Sequence, residues 1–318
     1  MYKNKNKNKI MKKNDFKLSF TDNTVFTGID AEGFYAAALL TGKSKEAFKL
    51  IPNVKSKIKL GELSIGNILN DADCSFSSQG EGTLDQKAFE VYPIKINLEY
   101  CQRTFEVNYL SQLLRPGSNS DEVMPVTVEN FLLEQVALKV SADTEQLVWK
   151  GNTATASYPL SLIDGLEKQL LADGTVIDVS ATASITVGNV IDELTKVYNA
   201  IPQEIMGADD LTIFLSPVAL RAYRQALAAA SSEAYFMQNY PELHFLNVRL
   251  SEAPGITSNK MVAARTSNIL LLTDLMSDFD DIQILPQKSV TGVPVVRMIG
   301  EFKFGVGYIF GSEVVFYN

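Results

Sequence analysis

Residues Pro125–Gly165, PVTVENFLLEQVALKVSADTEQLVWKGNTATASYPLSLIDG, decide the fold, because their apolar positions recur at the period of one long helix. Val128, Leu132, Val136 and Val140 fall on every fourth position, with Phe131 beside Leu132 and Leu147 seven residues after Val140. That spacing gathers them on one face of a 3.6-residue period. Glu129, Glu134, Lys139, Asp143 and Glu145 take the remaining positions and predict a polar face. Thr127 reads as the N-cap, Glu129 sets a negative charge where the helix dipole favours it, and Gly151 supplies the stop. At 1.5 Å per residue such a helix runs roughly 35 Å, longer than is usual in a compact enzyme. The pattern is that of a strut ending in Trp149, Gly151 and a small-residue loop that closes at Gly165.

A chain of 318 residues that is 46% hydrophobic can fill a large core, or two modest domains sharing one. Its charge is unevenly placed. Lys3, Lys5, Lys7, Lys9, Lys12, Lys13 and Lys17 less Asp15 give the first seventeen residues +6, so a net charge of −8 leaves −14 on the remainder. A basic tip on an acidic body suits contact with nucleic acid or an acidic neighbour, and equally a solvated tail. The longest apolar runs, such as Phe34–Leu40 and Ile269–Leu272, fall far short of a bilayer span, and no secretory apolar core follows the lysines. Cys74 and Cys101 form no CxxC pair, which fits free thiols in a reducing compartment. The expected location is inside a cell, or in something assembled there.

The polar start, lysine- and asparagine-rich as far as Thr24, predicts a segment that orders against a partner. Ile51–Asn70 reads as extended, and Ser75–Gln86 (SFSSQGEGTLDQ) as a flexible tip. Beyond it Tyr92, Ile94, Ile96 and Leu98 alternate with Pro93, Lys95, Asn97 and Glu99 as a half-buried strand. Two such arms predict a long hairpin, too weak alone, that leans on something else, another subunit included. Cys101–Leu114 reads as helical up to the Arg115-Pro116-Gly117 turn, Leu166–Leu171 as a short amphipathic piece, and Val176–Thr186 as a strand.

From Thr186 helices and strands alternate. A helix through Val190, Ile191, Leu194, Val197, Tyr198 and Ile201 stops at Pro202, Leu211–Leu215 is a buried strand, and Ser216-Pro217 opens a second helix. Phe245–Leu250, Met261–Ala264 and Ile269–Thr273 read as further strands of this α/β unit, which is of ordinary domain size. The strand-rich close, Val293–Asn318, is expected against the strut and the strand near Val176, which makes the α/β unit an insertion.

Signals of catalysis are sparse. His244 is the only histidine, which excludes HExxH and other two-histidine zinc sites, and no G-x-S-x-G elbow presents a serine to it. Gly42-Lys43-Ser44 imitates the end of a phosphate loop, but Ala37 stands where the first glycine belongs. Gly305-Val306-Gly307 lacks the following helix that would hold a pyrophosphate and reads as easing curvature or close packing. Asp278, Asp280 and Asp281 lack the spacing of a calcium loop and read as a solvated turn, as Asp209-Asp210 reads as a cap or turn. Trp149 reads as a core anchor. No cofactor and no metal is expected.

Taken together, the lysine-rich arm, the hairpin, the strut ending in Trp149-x-Gly151, the glycine step Gly165-Leu166, the inserted α/β unit with its Ser216-Pro217 helix and the closing strands resemble the major capsid protein of tailed bacteriophages, of the HK97-like fold. Leu98–Gly151 carries LEYCQRTFE, MPVTVENFLLEQVALKV and EQLVWKG in that order and resembles the capsid proteins of crAss-like and related phages of Bacteroidetes. The resemblance implies an α+β fold with an N-terminal arm at 1–50, an E-loop at 51–100, a P-domain with a spine helix at 101–185, an A-domain at 186–285, and closing P-domain strands at 286–318. It implies a non-enzymatic homo-oligomer: pentamers and hexamers of an icosahedral head, part of a virion assembled in the bacterial host cytoplasm. That head encloses double-stranded DNA without reading its sequence, has no membrane, and takes portal, head accessory or separate scaffolding proteins as partners. Lys3, Lys5, Lys7, Lys9, Lys12, Lys13, Trp149, Gly151 and Gly165 are the residues expected to serve structure or assembly.

Lys87 lies near the hairpin, but no partner asparagine can be named, so no covalent cross-link is expected. The acidic body is expected to repel packaged DNA. Three rivals stand beside this reading. One is an encapsulin-type compartment, another is an α/β enzyme on residues 186–285 using Asp192, Tyr223, His244 or Asp274, and the third is a tail or baseplate protein.

Overall fold

A computed structural model of the chain describes residues 24–26, 44–66, 69, 82–101, 126–230, 243–274, 282–287, 292–293 and 295–318. In chain order its strands begin with β1 (Thr24–Phe26), β2 (Lys49–Ile51), β3 (Lys57–Ile65), β4 (Gly82–Glu90) and β5 (Tyr92–Cys101). Helices α1 (Val126–Lys150) and α2 (Leu166–Ala172) follow, then β6 (Ile177–Val179), α3 (Val190–Ala200), β7 (Leu211–Leu215) and α4 (Pro217–Ala230). The remainder is β8 (Leu243–Phe245), β9 (Val248–Glu252), β10 (Met261–Arg265), β11 (Ile269–Thr273), β12 (Ile282–Pro286), β13 (Val295–Tyr308) and β14 (Val315–Tyr317).

Among the described residues these strands make three sheets. The first is built on β13, which pairs antiparallel with β5 from Val295↔Cys101 to Phe304↔Tyr92 and also with β12 and β11. β2 joins it parallel to β11, and β1 joins it antiparallel to β12. The second runs β6-β14-β10-β7-β9-β8, and the third is the two-stranded hairpin β3-β4.

The second sheet divides the interior into two cores, which explains why β7 is buried on both faces, and β11 of the first sheet likewise lies between the core under α1 and a third core around Val54 and Phe89. Successive side chains of a strand point to opposite faces. Phe214, Val262 and Phe316 accordingly join the core under α1, while Ile213, Leu215, Met261, Ala263, Val315 and Tyr317 join the core under α3 and α4. On α3, Val190, Leu194 and Val197 share one face and are buried there. The N-cap of α4 forms as its sequence predicts, with the Ala219 N–H donating to Ser216 Oγ at 3.2 Å. On β5, Ile94 and Ile96 are buried while Pro93, Lys95, Asn97 and Glu99 are exposed, the expected half-buried strand.

Several sequence expectations need correction. Helix α1 already covers Thr127, so that residue is not its cap. Glu145, assigned to a polar face, is buried together with Ser141 and Thr144, because Trp149 and Gly255 pack against that side of the helix. The hairpin's second arm is Gly82–Glu90, paired from Lys57↔Glu90 to Ile65↔Gly82, whereas Tyr92–Cys101 belongs to the first sheet. Val176–Thr186 keeps only the short strand Ile177–Val179, and Phe245–Leu250 is broken by a turn where Leu246 takes a φ of 54°. Ile269–Thr273 pairs with β13 and β2 in the first sheet, while the last strand, β14, pairs with β6 and β10 in the second. Residues 44–50, within the expected N-terminal arm, pack on or pair with this chain's own body, and Thr24–Phe26 pairs with Ile282–Ile284. The proposed Cys101–Leu114 helix lies outside the described residues beyond Cys101, as do Phe34–Leu40 and the tip from Ser75 to Glu81.

Candidate assembly site

The hub of the molecule forms where α1 ends. Trp149 is wholly buried, and its Nε1–H is shared between Ser44 Oγ at 3.0 Å and Glu145 Oε1 at 3.3 Å. Burial of an indole requires such a partner for its N–H. Phe48 and Phe214 complete the cluster, with ring centroids 5.8 and 5.7 Å from Trp149 and 5.2 Å from each other. One side chain thereby joins the segment before β2, the strut and the α/β unit. The last serine of the Gly42-Lys43-Ser44 run is thus a buried acceptor for an indole. Gly255 presses on the same place: a Cβ there would stand 2.2 Å from the Glu145 carbonyl oxygen and 2.6 Å from Trp149 Cδ1.

Gly151 and Gly165 close the loop that follows. The Gly165 N–H donates to Gly151 O at 2.8 Å, and the Gly151 N–H donates back to Leu147 O at 3.2 Å. A Cβ on Gly165 would lie 2.6 Å from Gly151 N and 2.7 Å from both Leu147 O and Trp149 O, so only glycine admits this approach. Asp164 ties the loop ends together by accepting from Thr153 N and Thr153 Oγ1, each at 2.8 Å, and from Lys168 Nζ at 2.7 Å. Partial burial pushes the Asp164 carboxyl up, but the bonds from Lys168 and Thr153 outweigh it and hold the group below its ordinary value. The closed loop presents Tyr158 to solvent.

The β3-β4 hairpin has a firm root and a bare far half. At the root Val54, Phe89 and Val91 pack with Leu270 and Leu272. The chain turns there at Asn53, which has a φ of 64°. The Val54 N–H donates to Thr273 O at 3.1 Å and the Val91 N–H to Ser56 O at 2.9 Å. Gly305 and Gly307 of β13 make room for it: a Cβ on the first would meet Glu90 O at 2.3 Å, and on the second the Phe89 ring at 2.6 Å. The G-x-G run is thus a seat for the hairpin. Farther out, Leu63 and Leu84, opposite each other in the ladder, remain 59% and 67% exposed.

One polar contact also ties the hairpin to the body. Lys87 Nζ lies 3.8 Å from the centroid of the Tyr308 ring and 3.6 Å from Asp173 Oδ2. The Tyr308 hydroxyl donates to Asp173 Oδ2 at 2.7 Å, and Thr175 donates to Oδ1 through its N–H at 3.0 Å and its hydroxyl at 2.6 Å. The Thr175 hydroxyl chiefly, with help from Tyr308 and Lys87 against a smaller burial penalty, holds the Asp173 carboxyl down at about 2. Burial, and then the Asp173 carboxylate, push the Tyr308 phenol up.

The other chemistry-bearing residues do not converge. His244 is exposed, and its carbonyl accepts from the Tyr223 hydroxyl at 3.1 Å. Asp192 is exposed in the first turn of α3, and Asp274 pairs with Lys303 of β13 at 2.6 Å. Among the described residues no group of three His, Cys, Asp or Glu could hold a metal ion, and no helix is long and apolar enough to cross a membrane. Lys3, Lys5, Lys7, Lys9, Lys12 and Lys13 lie outside the described residues, as do Asp278, Asp280 and Asp281. The sequence reading missed Gly255 and the Lys87–Asp173–Tyr308 contact, whose members lie far apart in the chain with no periodic signal.

No protein-family model and no curated protein matches the sequence. Solved structures do match it. The chain overlays on one from "Satellite phage P4 procapsid including size determination (Sid) protein" with a TM-score of 0.57 at 12% identity, covering 90% of this chain and 98% of that one. It overlays on one from "Capsid of native GTA particle computed with C5 symmetry" with a TM-score of 0.58 at 12% identity, covering 88% and 89%. This is a capsid fold. A chain of Gordonia phage Cozz matches at a TM-score of 0.53 and 12% identity over 86% of this chain and 85% of that one. Identity this low carries the fold and no residue roles. Within the capsid fold, the described part of this chain combines a sealed hub at Trp149, a closed loop bearing Tyr158, and a hairpin that leaves two leucines in water.

Proposed function

We propose that this chain is the major capsid protein of a tailed phage, of the HK97-like type, assembling as pentamers and hexamers into an icosahedral head that encloses double-stranded DNA. The observation that carries this reading is the overlay on procapsid and capsid chains across 90% and 88% of the sequence. The bare leucines of the β3-β4 hairpin support it, since exposed apolar pairs on a projecting element suit burial against another copy. In this reading residues 1–50 are the N-terminal arm, 51–100 the E-loop, 101–185 and 286–318 the P-domain with α1 as its spine, and 186–285 the A-domain. The sheet of the A-domain is completed by β6 and β14. The affinity to crAss-like phages rests on the sequence motifs alone.

Cohesion would come from modest contacts multiplied by symmetry. The lysines before residue 17 are the groups that could touch packaged DNA, and the −14 remainder would repel it. Portal, accessory and scaffolding proteins would be its partners. Negative-stain microscopy of the purified protein tests the proposal: closed icosahedral shells are expected, and discrete small oligomers or tubes would overturn it. Shells recovered from cells with protein cargo and never DNA would point to an encapsulin-type compartment instead.

A further inference from the structure

The hairpin is a lever of about 30 Å at the rise of a β-strand, joined to the body by the connector 52–56 on one side and Val91 on the other. Its root is apolar and close-packed and carries a backbone bond from Val54 to Thr273, which holds it in place, and a geometry-specific polar contact beside that root adds a definite angle. Lys87 sits on the lever two residues from Phe89, and its ammonium reaches across to the far end of β13 and to the C-cap of α2. It is received by a prepared site. The Tyr308 ring lies beneath it, the Tyr308 hydroxyl and Thr175 fix the Asp173 carboxylate, and a Cβ on Gly311 would stand 3.1 Å from that same carboxylate oxygen. A cation over an aromatic face with a carboxylate beside it is a geometry-specific contact.

We propose that the Lys87–Tyr308–Asp173 contact is a catch that fixes the inclination of the hairpin against its own body. Opening the catch frees the lever to swing about residues 52–56 and Val91. A swing of roughly 10° carries the end of a 30 Å lever by about 5 Å, enough to take Leu63 and Leu84 off one docking place and onto another. With the catch closed, every copy presents the same angle; with it open, copies differ. The consequence for shells rests on the proposed function, whereas the catch itself does not.

Electron–electron distance measurements on the full chain test it. Nitroxides are attached at Leu84→Cys on the hairpin and Leu138→Cys on α1, both positions being exposed, in a background carrying Cys74→Ser and Cys101→Ser. The parent is expected to give one narrow distance distribution. Lys87→Ala and Asp173→Asn are expected to widen it by about 5 Å, the tip displacement estimated above, while Lys87→Arg, which keeps a cation over the ring, stays narrow. A Lys87→Ala distribution as narrow as the parent's overturns the catch. Lys87 is one-third exposed, so the variant is expected to fold, and circular dichroism of each sample checks that the distances report a folded chain. In assembly, Lys87→Ala should broaden particle diameters where the parent is uniform, and uniform particles from a widened hairpin would refute the link to shell geometry. A parent that makes no shells would refute the capsid reading and leave the distance result standing.

Discussion

Around Trp149 three distant parts of the chain meet and bury its ring completely, whereas the β3-β4 hairpin is held at its root and by Lys87 and keeps Leu63 and Leu84 mostly exposed. The hub uses its polar atoms inward, the indole on Ser44 and Glu145 and the glycine backbones on one another. The hairpin bonds its backbone within itself and leaves its outer apolar surface unspent. Under the proposed function, stability and association then reside in different places. Changes at the hub should cost folding and changes on the far hairpin should cost only assembly.

Trp149→Ala tests that division most severely. It removes the ring that joins the segment before β2, α1 and β7, and is expected to cost about 3–5 kcal/mol, read by urea unfolding. Gly165→Ala comes next. Its Cβ would meet three backbone atoms, none of which can rotate away, and overpacking of that kind costs about 1–3 kcal/mol. If it unfolds at the parental midpoint, the loop is not the rigid closure described.

Asp173→Asn sits between the two regions and should cost on the order of 1 kcal/mol after allowance for solvent screening. Its pH dependence has a definite sign. The folded carboxyl is held at about 2 against an ordinary 3.8, so its contribution is complete above the higher value and is lost as pH falls toward the lower. The difference in Tm between parent and variant should therefore be full at neutral pH and close between those two values. A gap that stays constant down to the lower value would show that the charge contributes nothing. The smallest effect on folding is expected from Leu63→Ser with Leu84→Ser, within about 0.5 kcal/mol of the parent, as for other surface changes. The same pair should abolish or sharply slow particle formation, and shells forming at the parental rate would erase the distinction between hub and hairpin.

Much of this fold could be read from the chain because local physics imposed it. The strut, the Ser216-Pro217 helix and the half-buried alternation at Ile94 and Ile96 each follow from period or capping alone. What escaped depended on contacts between remote segments. Glu145 carries a charge at a surface-like position and is nonetheless buried, because Trp149 supplies a donor and Gly255 a close lid. The hairpin's second arm was misassigned because Thr83–Glu90 alternates weakly, while the stronger pattern at Tyr92–Leu98 belongs to a strand whose partner lies about two hundred residues on. Gly305 and Gly307 announced close approach without naming what approaches.

β14 closes the second sheet from the far end of the chain. It pairs parallel with β6 and antiparallel with β10, and the Tyr317 hydroxyl donates to Glu193 on α3 at 2.8 Å. Without β14, a chain that already holds the strut, the hairpin and most of the α/β unit has an unfilled slot between β6 and β10. Pairing over such sequence separation is slow to form. Closure of the second sheet is thus tied to a strand far along the chain from β6.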